Sequence, residues 1–261
     1  MKIRYTTLDP TGNITCLVLD PVPPEDRSRV TQALMPRCEQ VGYLLPPQMP
    51  GAHARLEMMG GEFCANASMA AAAYLCSREG HTEDETALEV SGTSGLVPCR
   101  VRTLPDGRYE GTVEIPSDMH CFDVDLGGLR CPAVRMEGIV HLILKDQDLK
   151  DTEAEALIQR AADILPDPAV GLLHWDSAHR MMHPLVYVKA AGTLVWETGC
   201  GSGSTALGVY LAREKGDGIC QTEILQPGGI IRAETEIRDG KLLSVSITGR
   251  VRLGKTDTID I

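Results

Sequence analysis

Along this chain the spacing of apolar positions switches repeatedly between the two-residue period of strands and the longer period of helices. Residues 2–7 and 15–19 alternate or run apolar and β-branched, and Asp9-Pro10-Thr11-Gly12-Asn13 between them reads as a turn, so a hairpin is predicted to open the chain. Pro23-Pro24-Glu25-Asp26 then starts a helix predicted to reach about Met35, with prolines and acids at its positive end. Extended chain resumes at 53–58. From Cys64 to about Glu79 the run Met69-Ala70-Ala71-Ala72-Ala73 has high helix propensity, and Gly80 stops it. So small-sided a helix can be wrapped closely by a sheet. Strands are predicted at 87–90, 95–102 and 109–115, the last two turned by Pro105-Asp106-Gly107, while Thr82-Glu83-Asp84-Glu85 reads as a solvated acidic loop.

The second half repeats this order. Strands are predicted near Val134 and at 140–144 and 185–188, followed by a helix from Cys200 to about Lys215 and three strands punctuated by Gly228-Gly229 and Asp239-Gly240. One amphipathic helix, 152–164, interrupts the series. The pattern predicts an α+β fold of two similar halves, each a mostly antiparallel sheet around a central helix. A division into 1–118 and 119–250, with a last strand at about 251–261 returning to the first half, gives each half one of two matched helices. No linker rich in Ser or Pro separates the halves, which predicts a tight cleft between them.

Length and composition narrow the class. At 261 residues, two domains of ordinary size are expected. No apolar run reaches the roughly 18 residues of a membrane span, and Met1-Lys2-Ile3-Arg4-Tyr5 lacks the apolar core of a signal peptide. Nine cysteines, an odd number, sit at spacings that fit neither a disulfide framework nor a zinc ribbon, so a reduced, cytoplasmic protein is expected. A net charge of −11 without any Lys/Arg cluster opposes binding to nucleic acid or anionic lipid. The expected partner is a small molecule; a homodimer is compatible with the sequence.

Chemistry enters with the two matched helices. Cys64-Ala65-Asn66-Ala67-Ser68-Met69-Ala70 and, 136 residues later, Cys200-Gly201-Ser202-Gly203-Ser204-Thr205-Ala206 share a Cys, small residues, Ser at the fourth following position and Ala at the sixth, then Tyr-Leu (Tyr74-Leu75, Tyr210-Leu211). A helix start carries unpaired N–H groups and about half a positive charge, so it binds anions and eases ionisation of a thiol. Small residues after the Cys let a ligand carboxylate approach those N–H groups. A lone Cys is most simply a small buried residue, the reading kept here for Cys16, Cys38, Cys76, Cys99, Cys121, Cys131 and Cys220. The duplicated setting of Cys64 and Cys200 argues instead for two thiols serving one reaction. The five- and four-residue spacings of His174, His179 and His183 put them on no common face, so no metal site is predicted.

These paired motifs resemble those of the diaminopimelate epimerase superfamily, which includes cofactor-independent amino-acid racemases. Cys64-Ala65-Asn66-Ala67 resembles the family's first Cys-Gly-Asn-Gly/Ala, and Cys200-Gly201-Ser202-Gly203 is a full match to its second Cys-Gly-(Thr/Ser)-Gly. Weaker similarities lie at Gly12-Asn13, Glu39-Gln40 and Gly138-Ile139-Val140-His141. The departures concern substrate. Ile139 and Ala169 stand where the family has asparagines, and Lys189-Ala190 lies nearest a missing Glu-Arg pair, so diaminopimelate would be poorly held. Met59-Gly60-Gly61-Glu62-Phe63-Cys64 with Glu197-Thr198-Gly199-Cys200 is more similar to the histidine racemases linked to opine metallophore synthesis.

The resemblance implies an active site in the cleft between two pseudo-symmetric halves and no cofactor. Cys64 and Cys200 would be catalytic, one as thiolate base and the other as thiol acid, their roles exchanging for the other enantiomer. Asn13, Glu39, Gln40, Ala65, Asn66, Ala67, Glu197, Gly201, Ser202 and Gly203 would bind substrate, the N–H groups of Asn66, Ala67, Gly201 and Ser202 holding the α-carboxylate. Against this stand plainer readings: turn or cap chemistry for Asn13 and Asn66, structural or solvated roles for Glu39, Gln40 and Glu197, and a structural role for His141. The alternatives are diaminopimelate epimerase itself, which the missing polar ligands disfavour, and a module that binds an amino acid without turning it over; a phenazine-type isomerase of the same fold uses a carboxylate acid-base, and two Cys motifs argue against it.

Overall fold

The computed structural model of the chain describes residues 1–116 and 118–261, which divide into two compact units. The first comprises Met1–Pro116 with Ile247–Ile261, the second Ser117–Ser246. Alternation makes most of the strands. In Ala54–Met58, for example, every second side chain is buried, so one pleat face meets the core and the other does not.

In chain order the first unit contains β1 (Lys2–Pro10), β2 (Thr15–Val18), α1 (Pro24–Leu34), β3 (Gln40–Leu45), β4 (Ala54–Met58), α2 (Ala65–Glu79), β5 (Glu83–Val90), β6 (Leu96–Thr103) and β7 (Tyr109–Glu114). The second contains β8 (His120–Asp125), β9 (Arg130–Met136), β10 (Ile139–Lys145), α3 (Asp151–Ile164), β11 (Ala169–Asp176), β12 (Met181–Val188), β13 (Thr193–Trp196), α4 (Gly201–Lys215), β14 (Gly218–Gln226) and β15 (Gly229–Arg238). The long β16 (Lys241–Asp260) contributes its last part to the first unit.

Strands of the first unit run in the order β1 to β7 and then β16, and β1 also pairs antiparallel with β16, from Lys2 opposite Asp260 to Pro10 opposite Val251. The path therefore returns on itself. Inside it, α2 packs against β1, β2, β5, β6 and β7. Its buried residues include the whole run from Ala65 to Ala73, since alanine and serine let strands approach on every side. Met69, its one large side chain there, fits because Gly111 of β7 and Gly249 of β16 face it: a Cβ on Gly111 would lie 2.4 Å from Met69 Cγ. In the second unit α4 packs on β14 and β15, with β9, β10 and β11 also against it. Most pairings are antiparallel; β2–β3, β4–β5, β10–β11 and the short β12–β14 contact are parallel.

Five elements differ from expectation. The acidic run 82–85 is not a loop: Glu83, Asp84 and Glu85 form the start of β5, where Glu83 pairs with Arg102 and Glu85 with Arg100 across the antiparallel ladder. Opposite charges facing across strands stabilise a pairing that the local sequence alone disfavours. β3, β8, β11 and β13 went unpredicted, because each is short or merges with neighbouring apolar residues. Among the described residues no helix is long and apolar enough to cross a membrane.

Candidate active site

Both cysteines occupy the N-cap position of their helix. Cys64 precedes α2 in an extended conformation (φ −132°, ψ 109°), and its sulfur accepts the Ala67 N–H at 3.4 Å. Cys200 precedes α4 (φ −103°, ψ 108°), and its sulfur accepts the Gly203 N–H at 3.2 Å. Each is followed by the same brace, a serine hydroxyl donating back to the cysteine carbonyl: Ser68 at 2.8 Å and Ser204 at 2.7 Å. A thiolate in either position would receive an N–H bond and the positive end of a helix.

The environment of Cys64 is a chain of amides. Its thiol donates to Gln40 Oε1 at 3.1 Å; Gln40 Nε2 donates to Asn13 Oδ1 at 2.6 Å and to Thr15 Oγ1 at 2.8 Å; Asn13 Nδ2 donates to Glu39 Oε2 at 3.0 Å. Gln40 and Asn13 are buried and Glu39 is exposed. The parallel register of β2 and β3, with Thr15 beside Gln40, produces this network. Three residues from two separate segments thus converge beside the Cys64 thiol: Asn13, Glu39 and Gln40. Asn66 and Ala67 are buried in the first turn of α2 with Ala65. The Ala67 N–H, expected to reach a carboxylate, is turned onto the Cys64 sulfur, since a cap side chain takes the third N–H of its helix.

Around Cys200 the partners are ionisable. Burial pushes this thiol well above its ordinary value, and the negative charge of Glu197, which also accepts from the thiol, adds to the shift; the Ser202 hydroxyl and Gly203 N–H oppose it. Ser202 Oγ lies 3.5 Å from the sulfur and 2.9 Å from His141 Nε2. His141 is fully buried, and burial lowers it to about 3, so the ring is neutral. A Cβ on Gly171, its neighbour on β11, would meet His141 Nδ1 at 2.0 Å. A Cβ at position 203 would lie 2.8 Å from Leu173 Cδ2 and 3.0 Å from the Cys200 sulfur, which explains Gly203 where the first motif has Ala67. Gly201 is buried and Ser202 half-buried at the start of α4.

Sequence reasoning missed Thr15, Ser204 and, above all, Gln226, whose Oε1 accepts the Cys200 N–H at 2.7 Å and whose Nε2 donates to Ser204 Oγ at 2.8 Å. The two serines held a signal, being repeated at the same offset from each Cys. Gln226 offered none. Among the histidines, His174 and His183 face each other across β11 and β12, while His179 bonds to Asp176.

Comparison with known proteins bears on the fold and the family. A PhzF-family phenazine biosynthesis protein of Bacillus anthracis has the same fold (TM-score 0.75, 15% identity, all of both chains), and so does a hydroxyproline epimerase of Agrobacterium vitis (0.72, 14%, 99% of this chain and 92% of that one). The fold is thus the sheet-dominated α+β fold, with few helices, of these two proteins. The family described as the histidine racemase CntK N-terminal domain matches residues 2–258, and a histidine racemase of Fusobacterium nucleatum subsp. nucleatum is 30% identical over 270 residues, 97% of each chain. The chain belongs to the histidine racemase family and is an isomerase, an amino-acid racemase.

Proposed function

We propose that this racemase acts on free histidine, one cysteine removing the α-proton as thiolate and the other, as thiol, returning a proton to the opposite face, without a cofactor. The observation that carries this reading is the repeated cap: two cysteines, each at a helix start, each accepting the third N–H of its helix and each donating to a side-chain oxygen. Pyridoxal phosphate would provide a sink for the carbanion. Here the developing charge falls on the α-carboxylate, and main-chain N–H groups at Asn66, Gly201 and Ser202 are the proposed donors to it. Of the two acids, Glu39 is proposed for the substrate amine, because Glu197 is already turned to the Cys200 thiol. General acid and base assistance contributes about 100- to 10,000-fold each. The site formed by both motifs would be the cleft between the two halves, in a reduced cytoplasm where both thiols survive.

Histidine as substrate is supported by the names of the relatives, and the absence of asparagine at Ile139 and Ala169 disfavours diaminopimelate. The test is incubation of L-histidine, and of the other common amino acids, in deuterated water with the α-proton followed by NMR. Histidine is expected to lose its α-proton fastest. If it keeps it while another amino acid exchanges, the substrate is misassigned; if exchange persists in both Cys64→Ser and Cys200→Ser, the two-thiol mechanism is wrong.

A further inference from the structure

The two thiols have unequal partners, and a glutamine lies at the origin of the difference. In the first unit Gln40 offers its carbonyl oxygen to the Cys64 thiol itself. In the second, Gln226, 4% exposed at the end of β14, has one end on the backbone of Cys200 and the other on the Ser204 hydroxyl that bonds to it. Its Oε1 takes the Cys200 N–H at 2.7 Å, and its Nε2 bonds at 2.8 Å to the Ser204 hydroxyl, which donates to the Cys200 carbonyl at 2.7 Å. One amide thus holds the peptide unit before the cysteine directly and the one after it through Ser204. Two main-chain bonds complete the hold on the preceding loop: Glu197 N–H to Pro184 O at 2.9 Å and Gly228 N–H to Thr198 O at 2.7 Å. Gly228 follows Gln226 by two residues, so the turn between β14 and β15 fixes Thr198 and Cys200 together. With the Gln226 carbonyl spent on the main chain, the thiol is left to Glu197 and Ser202.

We propose that Gln226 is a positioning residue for Cys200: by clamping the backbone on both sides of the cysteine, it turns the thiol toward Glu197 and makes the two thiols chemically unequal in the resting enzyme. This rests on the two-thiol reading above. The titratable groups facing Cys200 are Glu197 on its own loop and, through Ser202, His141 of β10, which is neutral; α4 brings none in its first turn. Loss of the clamp frees the loop, lets water reach the sulfur and relaxes the effect of burial. Gln226 itself touches no proposed substrate group, so turnover suffers and not binding.

The test uses Gln226→Leu and Gln226→Glu in the full chain, with two measurements: kcat and KM for histidine, and the pH midpoint of Cys200 alkylation by iodoacetamide. Trypsin releases residues 190–213, in which Cys200 is the one cysteine, so the midpoint is read on that peptide alone. Gln226→Leu is expected to lower kcat about 10- to 100-fold with KM within about twofold, and to lower the alkylation midpoint by about one pH unit. Gln226→Glu keeps the acceptor for the Cys200 N–H and adds negative charge, so its kcat falls between the other two proteins and its midpoint lies above wild type. A folded Gln226→Leu protein with the wild-type midpoint overturns the proposal. Should Gln226→Leu fail to fold by circular dichroism, an unchanged kcat and midpoint in Gln226→Glu overturns it equally. Alkylation needs no turnover, so if the wild type fails to exchange the histidine α-proton, the racemase reading falls while the clamp is still tested.

Discussion

His141 shows how one residue can be set by packing and still matter to the chemistry. Its ring is completely buried, its Nδ1 has no hydrogen-bond partner among the described residues, and the space it fills exists because position 171 is glycine. Burial penalises the charged form and lowers the group from 6.5 to about 3. The sign of the stability effect follows. The unfolded chain binds a proton near pH 6.5 and the folded chain does not until about pH 3, so the stability of the neutral ring is present above the higher value and is lost as pH falls between the two. Each pH unit in that window costs up to about 1.4 kcal/mol from this residue alone. Urea melts from pH 7 to 4.5 are expected to show this slope in the wild type and a shallower one in His141→Gln. Equal slopes would place the acid sensitivity elsewhere. At this scale the cysteine caps were legible because they occur twice. Gln226 was not, since a glutamine at a strand end has no local signature, and its partners lie 22 and 26 residues away.

The elements were more legible than the contacts between them. α2, α3 and α4 lie within a residue of expectation because propensity, periodicity and the stopping residue agree: Gly80, for instance, ends α2 in the left-handed region at φ 74°. The start of β5 was hidden because its acidic residues gain their partners, Arg100 and Arg102, only when β6 pairs with it. Closeness of packing is equally invisible. Gly208 in the middle of α4 looks like a weak point, since alanine favours a helix by about 1 kcal/mol over glycine. Yet a Cβ there would lie 2.6 Å from Ala233 Cβ of β15, closer than real side chains approach. Overpacking typically costs about 1–3 kcal/mol, so the clash should outweigh the propensity gain. Gly208→Ala is therefore expected to lower the melting temperature by about 2–4 °C for a net cost near 1 kcal/mol. The double variant Gly208→Ala with Ala233→Gly should recover most of the loss. A more stable single variant would mean that α4 sits further from β15 than described.

For the molecule as a whole the decisive pairing joins the two ends of the chain. Lys2 lies opposite Asp260 and Pro10 opposite Val251, and Thr112 and Thr248 share a hydroxyl bond at 2.8 Å, so the last part of β16 stands between β1 and β7. No local period encodes a contact over such a separation, although the alternation along β16 makes the strand itself readable. Without this segment the ladder edges of β1 and β7 lose their partner. Gly249, which gives Met69 room, also leaves, so the core around α2 loses one wall. The second unit keeps its own cluster, built on α3 residues such as Leu157 and Ile158 against Leu142, Leu172 and Leu185. A chain ending at Ser246 is therefore expected to open in parts and not as a whole. Amide hydrogen exchange should accelerate strongly in β1, β7 and α2 while β10 and β11 retain protection. If the proposed two-thiol reaction holds, its α-proton exchange should vanish with the first set, because Gln40 and Cys64 depend on strands of that unit. Uniform loss of protection would show that the two units unfold as one; full retention in β1 would show that the terminal strand is dispensable.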